Sequence, residues 1–237
     1  EQMREAGLDS EVVQVLALGG RVNSAQDARA AAQWSRFTRR IGRHEREVTI
    51  GITGKYVALR DSYASIIKAL EHAGIAADAA VRIAWIDTTD VTDANVAEKL
   101  EGLDGVIVPG GFGIRGAEGK IACIRHARQN GLPYLGICYG FQMAVIEYAR
   151  AFCGLAEATT TEIQPDAAEA VIDILPEQKK IEGLGGNMRL GGQDVALTAG
   201  TRAAELFDGA RSIRQRFRHR YEVDPQYVPR LEEAGLV

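Results

Sequence analysis

Cysteine is scarce, with three residues in a chain of 237. Three are too few for a disulfide framework, and an odd number leaves at least one thiol free. An export signal is lacking too: the chain opens Glu1-Gln2-Met3-Arg4-Glu5-Ala6-Gly7, charged where an apolar stretch would be needed. A reducing, cytoplasmic setting is therefore expected, with free thiols of which one is reactive. No apolar run approaches the roughly 20 residues of a membrane span, so no membrane partner is expected. Charge of one sign is also missing. Lys and Arg number 28 against 32 Asp and Glu, a net of −4, which gives no basic field for nucleic acid. Internal repeats and low-complexity tracts are absent, and the composition excludes collagen, coiled coil and disorder. The four histidines and the cysteines do not have the spacing of a metal-ligand set, so no metal is expected.

Hydrophobic residues make up 46%, enough at this length for a sizeable core in one large domain or two small ones. Glycine is over-represented at 26 residues, which points to tight turns and close backbone approaches. Residues 1–47 differ from the rest. Gly7 reads as a helix stop after Glu1–Gly7. Ala30, Trp34, Phe37 and Ile41 recur at helical spacing, with Arg36, Arg39, Arg40 and Arg43 on the polar side. That helix reads as a solvated linker or, alternatively, a binding patch, and nothing here makes a compact domain alone.

From Val48 the pattern turns regular. Strand-like runs at Val48–Gly54, Val81–Asp87, Gly105–Pro109 and Pro133–Cys138 alternate with helical stretches. These are Ser62–His72 (closed by Gly74), Asp93–Leu100, Glu118–Asn130 (closed by Gly131) and Gly140–Cys153. The alternation predicts an α/β fold with a central, mostly parallel sheet and helices on both faces. After about Leu155 the pattern is irregular, with strands expected at Ala170–Leu175, Gly186–Leu190, Asp194–Leu197 and Arg211–Arg220.

In open α/β sheets, sites form at the carboxyl ends of strands. Two ends stand out. In Gly136-Ile137-Cys138-Tyr139-Gly140 a strand delivers Cys138 into a helix between two glycines. This is a nucleophile-elbow pattern, and the helix N-terminus is expected to favour the thiolate. The alternative is a small buried cysteine beside packing glycines. Cys123 and Cys153 lie within helices and read as core. The second end, Val108-Pro109-Gly110-Gly111-Phe112-Gly113-Ile114-Arg115-Gly116, fits a phosphate cradle, an ordinary turn or an oxyanion hole. In the last case the N–H donors are those of Tyr139 and Gly111. A thiolate needs a base. His44 falls in the linker, His72 at a helix end and His126 mid-helix, so His219 is the one candidate, set against the alternative that it shares the exposed side of an alternating, basic strand.

Four strings carry a resemblance. They are residues 109–120 (PGGFGIRGAEGK), 133–138 (PYLGIC), 185–191 (GGNMRLG) and 219–223 (HRYEV). They resemble the class I glutamine amidotransferase domain of the CTP synthase family, in order and at its spacing. Gly54-Lys55-Tyr56-Val57 and Glu71-His72-Ala73-Gly74 fit the start of that domain, residues 48–237. Residues 1–47 resemble the tail of the preceding synthetase domain and its linker helix. The resemblance implies that L-glutamine is hydrolysed through a Cys138 thioester. The ammonia would serve ATP- and Mg-dependent amination of UTP to CTP in the synthetase domain. Gly111 and Tyr139 would supply oxyanion N–H groups, and Gln142, Glu162 and Arg220 would line the glutamine site. Glutamine's ammonium suits Glu162, and its carboxylate suits Arg220. The resemblance also implies GTP as activator, acting on a loop that includes Phe112, Arg115 and Glu118, and a homo-oligomer, tetrameric in the family.

Three departures qualify the match. The elbow reads Cys138-Tyr139-Gly140-Phe141-Gln142 where the family usually has C-L-G-M-Q, so Tyr139 and Phe141 are expected to narrow the pocket. The run before Tyr221 reads R-Q-R-F-R-H-R against the usual E-R-H-R-H-R. The family's catalytic His and Glu stand in a His-Pro-Glu motif that the 237 residues do not contain, so the chain is expected to be a piece of a longer protein. Two rival readings remain at this point: a non-catalytic regulatory or docking domain of the same fold, and an unrelated Cys hydrolase.

Overall fold

A computed structural model of the chain describes residues 2–42, 45–175, 178 and 188–237. The chain divides into two compact units. One comprises residues 1–49 and 59–82, the other residues 50–58 and 83–237. Strands β1 (Arg46–Gly54) and β2 (Ala79–Asp87) cross from one set to the other. His44 and Arg43, named above, lie outside the described residues.

The first unit holds α1 (Gln2–Glu5), α2 (Leu8–Val15), α3 (Ser24–Arg39) and α4 (Ala64–Ala77). Gly7 does adopt φ 76, yet it serves as the N-cap of α2, so the chain turns there and continues as helix. The Asn23 side chain caps α3 by accepting the Gln26 N–H at 3.0 Å. The apolar row is present but not buried: Trp34 on α3 is 58% and Ile41, just past its end, 57% exposed. Trp34 stacks on Phe37 at 5.7 Å, and Phe37 meets His72 edge-on at 5.8 Å. Arg40 and Arg46 donate to the carbonyls of Ala76 and Ala77, satisfying oxygens at the end of α4 that have no intrahelical partner. The stop expected at Gly74 falls inside α4. A Cβ there would meet the Ala79 carbonyl oxygen at 2.6 Å, so Gly74 permits a close backbone approach, and the helix ends at Asp78 with φ 55.

The second unit carries the predicted α/β core. Its sheet runs in the order β2-β1-β3-β4, with β3 at Gly105–Val108 and β4 at Tyr134–Gly136. β1 pairs parallel to β3 (Ile52↔Ile107), and β3 parallel to β4 (Val108↔Gly136). All four β3 residues are buried, as a strand covered on both faces requires. α5 (Val96–Lys99) is shorter than the stretch expected at Asp93–Leu100. α6 (Ala117–Asn130) ends at Gly131 in the left-handed region, as expected. α7 (Tyr139–Phe152) follows β4 directly. Val108, Ile121, Tyr139, Met143, Ile146 and Ile172 belong to one buried cluster, and Ile86, Val91, Leu100 and Cys123 to a second.

Past Leu155, β5 (Thr159–Thr160), β6 (Ala170–Asp173) and β9 (Glu222–Val223) form a small mixed sheet. β7 (Arg189–Ala196) and β8 (Ser212–His219) form an antiparallel ladder in register from Arg189↔His219 to Ala196↔Ser212. Of the strand expected at Gly186–Leu190, Gly186 and Asn187 lie outside the described residues, as does Gly185. α8 (Arg202–Leu206), capped by Thr201, and α9 (Val228–Glu233) had no counterpart in the sequence reading.

The sharpest constraint is the β4–α7 junction. A Cβ on Gly140 would sit 1.9 Å from the Val108 carbonyl oxygen, and one on Gly136 2.8 Å from the Phe141 nitrogen. At Gly140 the nearest atom is backbone and cannot yield, whereas at Gly136 the Tyr134 hydroxyl lies nearer still than the Phe141 nitrogen. Gly140→Ala should therefore destabilise the fold by at least about 1–3 kcal/mol, the usual cost of overpacking. Gly19→Ala, with nothing within 4 Å of its Cβ, should change stability by less than about 0.5 kcal/mol. Urea unfolding of the two variants checks this; equal midpoints would contradict it.

Candidate active site

The junction sets the backbone of Cys138. This residue stands as N-cap of α7 at φ 55, ψ −109, a conformation L residues rarely adopt. The strained turn lifts the half-buried thiol to the carboxyl end of the sheet. The backbone N–H groups of Tyr139 and Gly111 both face the sulfur and lower its pKa. Burial acts in the opposite direction, and so does the Glu162 carboxylate. The net is a thiol raised above its ordinary value. The helix N-terminus therefore does not produce a thiolate in the free protein, contrary to expectation, because desolvation outweighs it.

The glycine-rich loop after β3 is held by hydrogen bonds. Gly113 donates its N–H to Glu162 Oε1 at 2.9 Å and accepts from the Tyr139 hydroxyl at 2.8 Å. Lys55 Nζ donates to the Phe112 carbonyl and lies 4.6 Å from the Phe112 ring centroid. Arg115 lies over the Tyr56 ring at 5.4 Å. Glu118 points to Arg150, at 3.0 Å. At the start of α6, Lys120 is 3% exposed and donates to the carbonyls of Thr53 and Pro109 at 3.4 and 3.3 Å.

A cavity of about 320 Å³ joins these parts. Gly111, Phe112, Cys138, Gln142, Glu162 and Arg220 line it, together with Met188, Arg218, His219 and Tyr221. Five of the six residues expected at the catalytic and substrate site thus meet in one cavity, Tyr139 contributing only backbone. The expected narrowing by Tyr139 and Phe141 does not occur. Tyr139 is turned into the core at 1% exposure, Phe141 is half exposed, and neither lines the cavity. Gln142 donates Nε2 to the Tyr221 carbonyl at 2.7 Å, tying α7 to the segment after β8. Arg220 has no ion pair among the described residues, so its charge is available to a ligand. The His219 ring packs edge-on to Phe217 at 5.4 Å. No hydrogen bond joins Cys138 to a histidine among the described residues, and none of the described His, Cys, Asp and Glu side chains group as a metal site.

Residues 58–236 match the family described as Glutamine amidotransferase class-I. The chain belongs to that family. It is 49% identical over 205 residues to a CTP synthase of Archaeoglobus fulgidus, covering 86% of this chain and 38% of that protein. It is 42% identical over 236 residues to the CTP synthase of Staphylococcus carnosus, covering 100% of this chain and 43% of that one. The chain thus spans about two fifths of the length of these curated relatives. Among solved structures, a Trypanosoma brucei CTPS glutaminase domain with bound acivicin superposes with a TM-score of 0.73 at 34% identity. That match covers 79% of this chain and 72% of the other.

Within this amidotransferase domain, sequence reasoning missed Lys55, Lys120, Arg218 and the core-facing hydroxyl of Tyr139. Lys120 carries a legible signal, since it shares the helical stripe of Cys123, Ile124 and Ala127, all buried. The Tyr139 hydroxyl carries none, because its partner is a carbonyl 26 residues away.

Alkylation of Cys138 by iodoacetamide should rise with pH through a midpoint above that of an exposed thiol, about 8.5. Glu162→Gln removes a charge that disfavours the thiolate and should lower that midpoint. Cys123, held up at about 12 by burial, and buried Cys153 should stay unlabelled. Peptide mass mapping across the titration reads both; an unmoved midpoint in Glu162→Gln would refute the coupling.

Burial also brings Lys120 down from 10.5 to about 8, with Lys55 adding to the shift and Cys123 opposing it. Below pH 8 the folded and unfolded chains both hold this proton, and the folded state bears the full cost of the buried charge. Between pH 8 and 10.5 the folded chain sheds it first while the unfolded chain retains it. The contribution of Lys120 to stability therefore rises with pH across that window. Relative to Lys120→Met, the unsubstituted protein should gain on the order of 1–3 kcal/mol there. Urea unfolding at the two ends of the window measures it, and a flat or falling difference would contradict the burial of a charged amine.

Proposed function

We propose that the chain is the glutaminase part of a CTP synthase and hydrolyses L-glutamine through Cys138. The observation that carries this reading is the cavity itself. It presents a cysteine with two converging N–H groups beside a carboxylate and a guanidinium, and those two charges complement an amino-acid zwitterion. Glu162 spends one oxygen on Gly113 and offers the other to the substrate's ammonium. Arg220 takes the carboxylate. Gln142 holds the Tyr221 carbonyl and with it the wall that carries Arg220.

The chemistry is acyl transfer. The Cys138 sulfur bonds to the side-chain amide carbon, and the oxygen takes up negative charge facing the Gly111 and Tyr139 N–H groups. Ammonia leaves once protonated, giving the thioester. Water then adds, its proton is removed, and glutamate and the free thiol are released. The acid–base histidine is, by the family resemblance, that of a His-Pro-Glu motif, and His219, engaged with Phe217, is read as part of the wall.

The rest of the reading concerns the longer protein. Residues 1–47 are assigned to the tail of a synthetase domain and its linker, which would use the ammonia with ATP and Mg to aminate UTP in the cytoplasm. GTP, as activator, would meet the loop of Phe112 and Arg115. There the 62% exposed Phe112 ring offers a stacking face and Lys55 and Arg115 offer cations. Glu118 fits this role less well, since Arg150 holds it. A homo-oligomer is part of the same reading.

In the protein carrying this chain, Cys138→Ala should abolish ammonia release from glutamine. Arg220→Ala should weaken glutamine binding about 10- to 150-fold, the loss of one charge-assisted bond. His219→Gln should reduce turnover by less than the about 10²–10⁴-fold expected for a general base. Turnover intact in Cys138→Ala would end the proposal, and turnover abolished in His219→Gln would make His219 the base.

A further inference from the structure

Tyr139 enters the site twice. Its backbone N–H faces the Cys138 sulfur. Its side chain turns inward, 1% exposed, and the hydroxyl donates to the Gly113 carbonyl at 2.8 Å. The ring also borders Gly111, where a built Cβ would stand 3.9 Å from Tyr139 Cδ1. Besides this contact the loop is held by Lys55 on the Phe112 carbonyl and Lys120 on the Pro109 carbonyl. Gly110, Gly111 and Gly113 have no side chains to pack, and Phe112 is 62% exposed. Glycine backbones restrict themselves least of all, so the loop's conformation is set by the few hydrogen bonds made to it. Gly113 is where two of these meet, the hydroxyl on its carbonyl and Glu162 on its N–H.

We propose that the Tyr139 hydroxyl is a positioning residue for the glutaminase site. By pinning Gly113 it keeps the Gly111 N–H aimed at the reacting centre and keeps Glu162 oriented for the substrate's ammonium. One side chain thereby couples the two halves of the site, the part that recognises the amino acid and the part that receives the oxyanion. The proposal rests on the glutamine reading given above. Burial raises the Tyr139 pKa, so the hydroxyl remains a donor through the neutral range.

The test compares two electrophiles on the protein carrying this chain. A chloromethyl ketone analogue of glutamine needs both the amino-acid clamp and the oxyanion donors: sulfur bonds to carbon and chloride departs. Iodoacetamide needs only the thiolate. Tyr139→Phe deletes one oxygen and should slow labelling by the ketone about 10- to 100-fold, the usual effect of a small misplacement in a site. Labelling of Cys138 by iodoacetamide should stay within about twofold, since the thiol's surroundings are otherwise kept. Unchanged ketone labelling overturns the inference. So does an equal change with both reagents, or iodoacetamide reaching buried Cys123 and Cys153, since either marks a general loss of structure. If the Phe variant does not fold, Tyr139→Leu, with the residue usual at this place in the related elbow, is read by the same criteria. Should the unsubstituted protein fail to prefer the ketone, the glutamine reading falls and this inference with it; should the unsubstituted protein and the variant prefer the ketone equally, this inference alone falls.

Discussion

The approach of Gly140 to the Val108 carbonyl decides where Cys138 can stand. β3 and β4 pair in parallel, and α7 must start within a residue or two of the end of β4. The chain can reverse that quickly only if the first turn of α7 lies almost on β3, and a Cβ at 1.9 Å forbids any residue but glycine there. Gly136 serves the same purpose on the strand side. Between them Cys138 is left with φ 55. That strain is borne by the buried core around Val108, Met143 and Ile146, and its product is a sulfur presented at the sheet's end with two N–H groups converging on it.

The same placement sets the electrostatics. A site that excludes water strengthens its hydrogen bonds but resists a bare anion. Cys138 feels both effects, and burial with the Glu162 charge prevails over the two N–H groups. In the proposed complex the substrate's ammonium faces Glu162. Its charge would offset the carboxylate that disfavours the thiolate, so the nucleophile would become more acidic when the substrate is in place.

The core α/β elements were legible because their signals are local. The apolar run of β3 and the 3.6-residue stripes of α6 and α7 need no partner to be seen. The elbow was legible for the same reason: glycines at 136 and 140 around a cysteine form a contiguous pattern. What was not legible depends on contacts distant in sequence. The two-residue strands β5 and β9 exist only because β6 lies between them. Gly74 was read as a cap because a glycine near a helix end usually is one, whereas the close approach of Ala79 decides its presence. Tyr139 was expected in the pocket because it adjoins Cys138, but its ring lies in the core with its hydroxyl on the Gly113 carbonyl. The thiol's raised pKa was hidden as well, since Glu162 is 24 residues from Cys138 along the chain and only the fold brings the charge near.

The glycine loop shows how side chains aim a backbone. In a trans peptide unit the C=O and N–H point in opposite directions, so fixing one fixes the other. Lys120 takes the Pro109 carbonyl, Lys55 the Phe112 carbonyl and Tyr139 the Gly113 carbonyl. Three side chains, one just past β1, one on α6 and one on α7, thus hold the loop's oxygens. The Phe112 carbonyl held by Lys55 shares its peptide unit with the Gly113 N–H, which is thereby aimed at Glu162, while the Gly111 N–H faces Cys138. Two of the three donors are lysines, and one of these, Lys120, is buried with no carboxylate partner among the described residues, a costly arrangement. The cost is intelligible if the carbonyl dipoles of Thr53 and Pro109, at the ends of two neighbouring strands, need one donor able to bridge them. A preorganised set of N–H groups then exists before any ligand arrives, which is the condition under which such groups stabilise developing charge most effectively.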